Sequence, residues 1–302
     1  MSWFVSKART VWVQLRDVYS YFFRHALVVN GYVDDHTWKG IRHRNWGDDL
    51  NYYFLQLITG RPVVFYHNFR LAKWLRFTNY LCIGTLLDAN NYANRQTVVW
   101  GTGVSGDGRD FVQPRHICSV RGYGTIKCLK EKDFSCPDAV GDAAMLLPAY
   151  YRPHKLWNGR KYRLGVIPHV VDRHHAFIDS LESDNILVID LAHYKCWTDV
   201  IDQICSCEHI ASSSLHGLIV SDAYAIPNCW IELSGNITGG HFKFYDYFSS
   251  VGRRDDKPLV VKTCEDIAEI ETQCSQWVAP SIDTGAIIRQ CPFPIKRPTY
   301  DK

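Results

Sequence analysis

The segment Ile210-Ala-Ser-Ser-Ser-Leu-His-Gly-Leu-Ile219 indicates the fold class, because a short apolar run passes through three serines directly into a helical pattern. The pattern predicts a strand over His209–Ser212 and a helix over Leu215–Ala223. Such strand-to-helix passages are typical of parallel sheets covered by helices. We therefore expect an α/β fold with this passage at the carboxyl edge of a sheet, where open α/β sheets bind their ligands.

The same passage predicts an anion site. The hydroxyls of Ser212, Ser213 and Ser214, the unpaired N–H groups of the first helical turn and the positive end of the helix dipole can together hold a phosphate or a carboxylate. His216 stands in that first turn. The alternative is structural, because serines commonly cap helices and His216 can simply pack in the core.

Outward from this segment, apolar runs and helical patterns alternate on both sides. The other predicted strands are Pro62–Tyr66, Tyr80–Ile83, Thr97–Trp100, His116–Val120, Arg163–Ile167, Asn185–Asp190, Asn228–Ile231 and Lys257–Val261. The other predicted helices are Asp48–Thr59, Gly122–Lys130, Arg173–Leu181, Trp197–Ser206 and Cys264–Val278. This series predicts two doubly wound, Rossmann-like halves that face a central cleft. The expected division is an N-terminal helix over 1–30, halves over 31–150 and 151–280 joined by a linker at Tyr150–Lys161, and a tail over 281–302.

Composition limits the class of protein. The chain has 302 residues, of which 46% are hydrophobic and 22% charged, as in globular proteins. A net charge of +3 without a basic run argues against a nucleic-acid partner. The cysteine count is 11, an odd number, and no secretory signal is recognisable, so a reducing cytoplasm is expected. No metal is expected either, because the cysteines lack the paired spacing of a zinc site.

Residues 3–28 predict an amphipathic helix. Its apolar stripe contains Phe4, Val11, Leu15, Val18 and Phe22, with Trp12, Tyr19 and Phe23 beside it and polar residues opposite. Aromatic residues with a basic excess are the composition of a helix that lies on a membrane surface. A helix that packs on the protein's own core fits the pattern equally well.

Further polar residues follow predicted strands or begin predicted helices. In Asn45-Trp-Gly-Asp-Asp-Leu-Asn51, Asp48 or Asp49 can cap a helix and present a carboxylate to the cleft, where it could act as a general base. In Ser119-Val-Arg-Gly-Tyr-Gly-Thr125, Arg121 is suited to an anionic ligand. His169 follows a strand of the second half. Lys243 and Arg253 supply positive charge nearby in sequence, and Gly101-Thr-Gly-Val-Ser-Gly106 is interpreted as a bend beside the cleft.

These motifs, taken in order, resemble those of the polysaccharide pyruvyl transferase family over roughly residues 40–255. The matching stretches are Asn45-Trp-Gly-Asp48, Ile83-Gly-Thr-Leu86, Trp100-Gly-Thr-Gly103, Ser119-Val-Arg-Gly122, Val140-Gly-Asp142, Gly165-Val-Ile-Pro-His169, Ser212-Ser-Ser-Leu-His-Gly-Leu218 and Lys243-Phe-Tyr-Asp-Tyr-Phe-Ser249. The order of the motifs carries the resemblance, since each motif alone is weakly specific.

The resemblance implies a GT-B-like fold, phosphoenolpyruvate as donor, no other cofactor, and a pyruvate ketal formed on a hexose of a capsule, exopolysaccharide or cell-wall glycan; galactose is the expected hexose. By position, it points to Arg121, His216 and Asp48. The chemistry of this donor then predicts donor binding by Arg121, a proton donor in His216, for either the methylene carbon or the leaving phosphate, and a base in Asp48 or Asp49. Many members have arginine where this chain has Ser214, so Lys243 or Arg253 is expected to replace that cation.

Two other functions fit the same architecture. A GT-B glycosyltransferase would use a nucleotide sugar as donor, and a non-catalytic protein would bind the glycan alone. A lipid-linked acceptor would place the protein in the cytoplasm at the inner face of the plasma membrane, with its N-terminal helix on the lipid.

Overall fold

The computed structural model describes residues 2–37, 40–42, 45–153, 160–237, 239–253 and 257–300, with backbone alone for 2–9 and 34–37. The predicted linker falls partly on residues outside this set, at 154–159. The first helix, α1, spans Ser2–Arg24. No helix in the described ranges is long and apolar enough to cross a membrane.

The first half is built on a parallel sheet with the strand order β4-β1-β5-β6-β7-β8. Its strands are β1 (Leu27–Val29), β4 (Val63–Phe65), β5 (Asn79–Leu81), β6 (Thr97–Trp100), β7 (His116–Val120) and β8 (Ala139–Val140). A short antiparallel hairpin, β2 (Asp34–Thr37) and β3 (Gly40–Arg42), follows β1. The helices of this half are α2 (Trp46–Thr59), α3 (Arg70–Trp74), α4 (Tyr123–Glu131) and α5 (Leu147–Tyr150). After β1 the chain adds β4 on one edge of this strand, and then crosses over to add β5 and the later strands on its other edge.

The second half repeats this plan with the strand order β10-β9-β11-β12-β13. Its strands, all parallel to their neighbours, are β9 (Tyr162–Ile167), β10 (Ile186–Val188), β11 (Cys207–Ser212), β12 (Asn228–Glu232) and β13 (Leu259–Val260). The helices are α6 (Ala176–Asp179), α7 (Trp197–Cys205), α8 (Leu215–Ala223), α9 (Phe242–Val251), α10 (Ile267–Ser275) and α11 (Thr284–Arg289). The expected α/β class with two parallel, Rossmann-like sheets is therefore confirmed.

One apolar core runs through both halves. A single cluster of buried side chains includes Trp46 and Trp100 from the first half and Leu218 and Tyr247 from the second. The two sheets are therefore joined by a shared apolar cluster.

The last described residues pack on the first half. The indole of Trp100 donates a hydrogen bond to the carbonyl of Ile287 at 2.9 Å, and the N–H of Lys296 donates to the carbonyl of Ile58 at 2.7 Å. Phe293 is buried against the rings of Tyr80 and Trp100. The segment predicted as a tail thus completes the core under β5 and β6.

The predicted and observed secondary structures differ at several elements; β1, α3 and α9, for example, were not predicted. Three of the differences have local reasons. The first helix ends at Arg24, before the predicted residue 28, because His25 adopts a left-handed φ of 52° and the apolar run that follows becomes β1. The helix predicted over Arg173–Leu181 is only the single turn Ala176–Asp179, since Asp172 and His175 form successive turns before it. The short α11 was not predicted, because six residues carry too little periodicity.

Candidate active site

A cleft of about 740 Å³ lies where the carboxyl edges of the two sheets face each other. In each sheet the chain reverses its direction of winding beside one strand, between β1 and β5 in the first sheet and between β9 and β11 in the second. Such switch points leave a crevice at the strand ends. The cleft is lined by Tyr32, Val33, Asn45, Asp48, His67, Gly84, Thr85, Asp88, Ala89, Asn90, Tyr92, Ser105, Arg109, His169, Val170, Ser214, Leu215, His216 and Lys243.

Six residues predicted from sequence lie in this lining: Asn45, Asp48, His169, Ser214, His216 and Lys243. They come from four places that are far apart in the chain, namely the start of α2, the end of β9, the end of β11 with the start of α8, and the start of α9. The fold therefore brings together residues that the sequence grouped only by their position after strands or before helices.

Asp48 is held at the N-terminal end of α2 by its neighbour Asn45. The Asn45 side chain accepts a hydrogen bond from the N–H of Gly47 and donates one to Oδ2 of Asp48 at 2.7 Å. Burial, followed by the nearby Asp49 carboxylate, raises the pKa of Asp48 to about 7, although Lys243 and Asn45 oppose the rise. Asp48 can therefore exchange a proton near neutral pH.

Asp49 lies behind the cleft. Its carboxylate is buried and accepts a hydrogen bond from the hydroxyl of Tyr194 at 2.5 Å. The indole of Trp46 donates to the carbonyl of Trp197 at 2.7 Å from the same end of α2. These two contacts fasten the start of α2, and with it Asp48, to the second half.

His216 points into the cleft from the first turn of α8. Its Nε2 is buried and has no hydrogen-bond partner among the described residues. Burial, then the charges of Lys243 and Arg121, lower the pKa of His216 to about 3, so the imidazole is neutral at pH 7 before a ligand binds. A buried ring nitrogen without a partner is costly unless a ligand supplies one.

The three serines have different surroundings. Ser212 Oγ accepts the N–H of Ser214 at 3.0 Å, and Ser213 Oγ accepts the N–H of His169 at 2.8 Å and bonds Asp172 at 3.1 Å. These two hydroxyls hold the turn and lie outside the cleft lining. Ser214 lines the cleft, and its side chain makes no capping bond to α8.

Positive charge reaches the cleft from Lys243, on the first turn of α9. Its side chain is 9% exposed, and burial, then Arg121, lowers its pKa to about 8 while Asp48 opposes the change. His169 faces the same charge; burial and then Lys243 lower its pKa to about 4. A buried ammonium and two neutral histidines make the cleft well suited to an anion.

Arg121 does not line the cleft. It is fully buried, and its Nε pairs with Oδ2 of Asp246 on α9 at 3.0 Å. Its Nη1 donates to Thr85 Oγ1, a lining residue, at 2.7 Å. Asp246 also accepts the backbone N–H of Thr125 at 2.7 Å. Arg121 thus ties the first half to the helix that carries Lys243.

Arg253 is also placed away from the cleft lining. It pairs with Asp222 at 3.3 Å, donates to Asn228 Oδ1 at 2.8 Å and lies over the ring of Phe248. Of the two cations that the sequence offered as replacements for an arginine at Ser214, only Lys243 reaches the cleft.

Several lining residues were missed by the sequence analysis, among them Tyr32, Thr85, Asp88 and Arg109. Asp88 accepts hydrogen bonds from the N–H of Ser105 at 2.9 Å and from its hydroxyl at 2.6 Å, which places the glycine-rich bend beside the cleft as predicted. Arg109 follows that bend and pairs with Asp107 at 3.0 Å. The glycines of 101–106 were the sequence signal for these lining residues, because they mark a loop that approaches the site.

The fold and the cleft define an α/β protein with a polar cleft between two Rossmann-like sheets. The model of the polysaccharide pyruvyl transferase family matches residues 16–235, and the chain belongs to this family. It is also similar to the uncharacterized protein L143 of Acanthamoeba polyphaga mimivirus, with 34% identity over 174 residues. That match covers 55% of this chain and 58% of the viral protein, so the chain spans little more than half the length of this relative.

Proposed function

We propose that the protein transfers the pyruvyl group of phosphoenolpyruvate to two hydroxyls of a hexose, galactose in particular, and forms a pyruvate ketal. The product would belong to a capsule or exopolysaccharide glycan, and the two halves would act as a GT-B-like pair around the cleft. Family membership supports a pyruvyl transferase. The observation that carries the proposal is the meeting of Asp48 and His216, from opposite halves, in a cleft lined by Lys243.

The donor is assigned to the side of Lys243 and the first turn of α8. A phosphate or carboxylate there would accept hydrogen bonds from the ammonium and from the N–H groups at the start of the helix. Arg109, the other cationic residue in the described lining, would reach the same anion from the opposite side. No metal and no further cofactor enters this assignment.

His216 is the proposed proton donor. The negative charge of the donor beside His216 raises the pKa of this imidazole, so it takes up a proton when phosphoenolpyruvate binds. His216 then delivers this proton to the methylene carbon of the donor, which makes C2 electrophilic.

Asp48 is the proposed base, since a pKa of about 7 suits proton transfer at neutral pH. It takes the proton of the first sugar hydroxyl, whose oxygen bonds to C2. The bond between C2 and the bridging oxygen then breaks, phosphate leaves, and the second hydroxyl closes the ketal while its proton passes to the departing phosphate.

The remaining predicted residues are proposed to position these groups. Asn45 orients Asp48, Asp49 anchors α2, Ser212 and Ser213 shape the turn before His216, and Arg121 sets the position of α9. His169 and Ser214 would contact donor or acceptor from the edge of the second sheet.

The test mixes the protein with phosphoenolpyruvate and a galactose-terminated acceptor, and measures released phosphate together with a mass gain of the sugar. We expect both products, in equal amounts and with EDTA present. Stabilisation by uridine nucleotides, with no effect of phosphoenolpyruvate, would favour a glycosyltransferase. Binding of the acceptor without turnover would favour a glycan-binding protein. Loss of turnover in EDTA, restored by a divalent cation, would contradict the metal-free assignment.

The acceptor is further proposed to be lipid-linked, with the protein at the cytoplasmic face of the membrane that carries it. The enzyme should then turn over a soluble acceptor as well, but membrane binding would raise the rate only for the lipid-linked acceptor.

A further inference from the structure

The N-terminal helix exposes an apolar side to solvent. Within Thr10–Arg24, the part of α1 whose side chains are described, Val13, Asp17 and Ser20 are buried, and the Gln14 side chain bonds the carbonyl of Asn68 at 2.6 Å and the N–H of Arg70 at 2.9 Å. Val18 and Tyr21 also pack on the core, so the packed side of α1 is of mixed polarity. The opposite side, here called the outer face, consists of Val11, Trp12, Leu15, Tyr19, Phe22 and Phe23, each more than half exposed.

The exposure of these apolar side chains calls for an explanation. A helix that serves only the core turns its apolar side inward, because burying it stabilises the fold. Here Trp12 is 65% and Phe23 72% exposed, and contiguous exposed apolar surface of this kind marks an interaction site. The exposed Trp74 and Leu75 lie at the end of α3, the helix whose start Gln14 contacts.

The surroundings of the outer face are cationic. Residues 10–25 and 66–78 contain Arg16, Arg24, Arg70, Lys73 and Arg76 but a single acid, Asp17. Asp17 is buried and pairs with Arg16 at 2.7 Å. A groove of about 460 Å³ beside Tyr19 is lined in addition by Arg16, Arg24 and Arg61. The apolar face is therefore bordered by positive charge that only an anionic partner would complement.

We propose that the outer face of α1 binds the surface of an anionic lipid membrane, with its aromatic rings among the acyl chains and the neighbouring cations at the headgroup phosphates. Rings with basic residues are the composition of helices at the membrane interface. A second copy of the chain fits less well, because a symmetric pairing of outer faces would bring identical cationic borders together.

The test is vesicle co-sedimentation of the full chain. We expect binding to phosphatidylcholine vesicles that contain about one-third phosphatidylserine, weak binding to phosphatidylcholine alone, and release at high salt. The variant Trp12→Gln/Leu15→Gln/Phe23→Gln should bind at least about tenfold less, because three exposed apolar side chains no longer enter the lipid. The variant Arg70→Gln/Lys73→Gln should lose about fivefold per cation.

A matched control is Tyr123→Gln/Val260→Gln/Val278→Gln, which removes equally exposed apolar side chains elsewhere and should bind like the unchanged chain. All variants should melt at the same temperature, since the altered side chains are exposed. A chain that stays in solution with anionic vesicles, or an outer-face variant that binds as the control does, would overturn the proposal. So would a lipid-free dimer that the outer-face variant dissociates, which would assign the face to a second copy. None of these measurements depends on turnover.

Discussion

The imidazole of His216 lies directly against the backbone of Gly47, so a methyl group on Gly47 would stand 1.9 Å from Nδ1 of His216. The glycine is needed for space and not for an unusual backbone conformation, since residue 47 lies in the first turn of α2 and its φ is not left-handed. The close approach brings the first turns of α2 and α8 together, and it places Asp48 and His216 at the same cleft.

Gly47→Ala should therefore displace His216 and lower turnover at least about tenfold, since displacing a catalytic group by about an ångström costs this much or more. Steady-state kinetics measures the loss. Gly285→Ala is the control, because its added methyl would meet only the side chains of Asp283 and Arg289 at 3.0 and 3.1 Å. Equal turnover in the two variants would contradict the role of this contact.

Arg121→Ala should destabilise the protein by about 3–5 kcal/mol, because it leaves the buried Asp246 carboxylate without its cation. Urea unfolding measures the free energy. Arg109→Ala, which breaks the more exposed pair with Asp107, should stay within about 1 kcal/mol of the unchanged chain. An Arg121→Ala protein as stable as the parent would show that the ion pair does not hold α9.

Phosphoenolpyruvate binding should take up protons near pH 7.5. Without a donor the pKa of His216 is about 3 and that of Lys243 about 8, and an adjacent anion raises both, so protons enter on binding and donor affinity falls as pH rises. Calorimetry in buffers of different ionisation enthalpy measures the uptake. We expect a clear reduction in His216→Gln; uptake unchanged by that substitution would exclude His216 as the group that is protonated.

Lys243→Met should weaken phosphoenolpyruvate binding at least about tenfold, because the lost ammonium donates charge-assisted hydrogen bonds worth about 1.5–3 kcal/mol. Arg253→Met is the matched variant. It should bind the donor normally but unfold more easily, because Asp222 loses its cation. The reverse outcome, with donor binding dependent on Arg253 alone, would move the donor site away from the first turn of α9.

Local sequence patterns correctly predict where most strands and helices lie. Thr97–Trp100, His116–Val120 and Leu215–Ala223 have the predicted bounds, because apolar runs and helical periods are local properties of the chain. Strand-to-helix passages also located His169, Ser214 and His216 at a sheet edge, since parallel strands place their carboxyl ends together.

The contacts of each polar side chain, in contrast, depend on how the elements pack together. Arg121 has the pattern of a ligand-binding residue, yet its carboxylate partner stands 125 residues away and removes it from the cleft. The amphipathic pattern of α1 likewise does not predict which side packs. That side is set by contacts with other elements, among them the hydrogen bonds of Gln14 to the turn before α3. Local patterns encode the hydrogen bonding and burial within one element. The burial of a charge, or of one helix face, depends on contacts between elements that only the folded chain brings together.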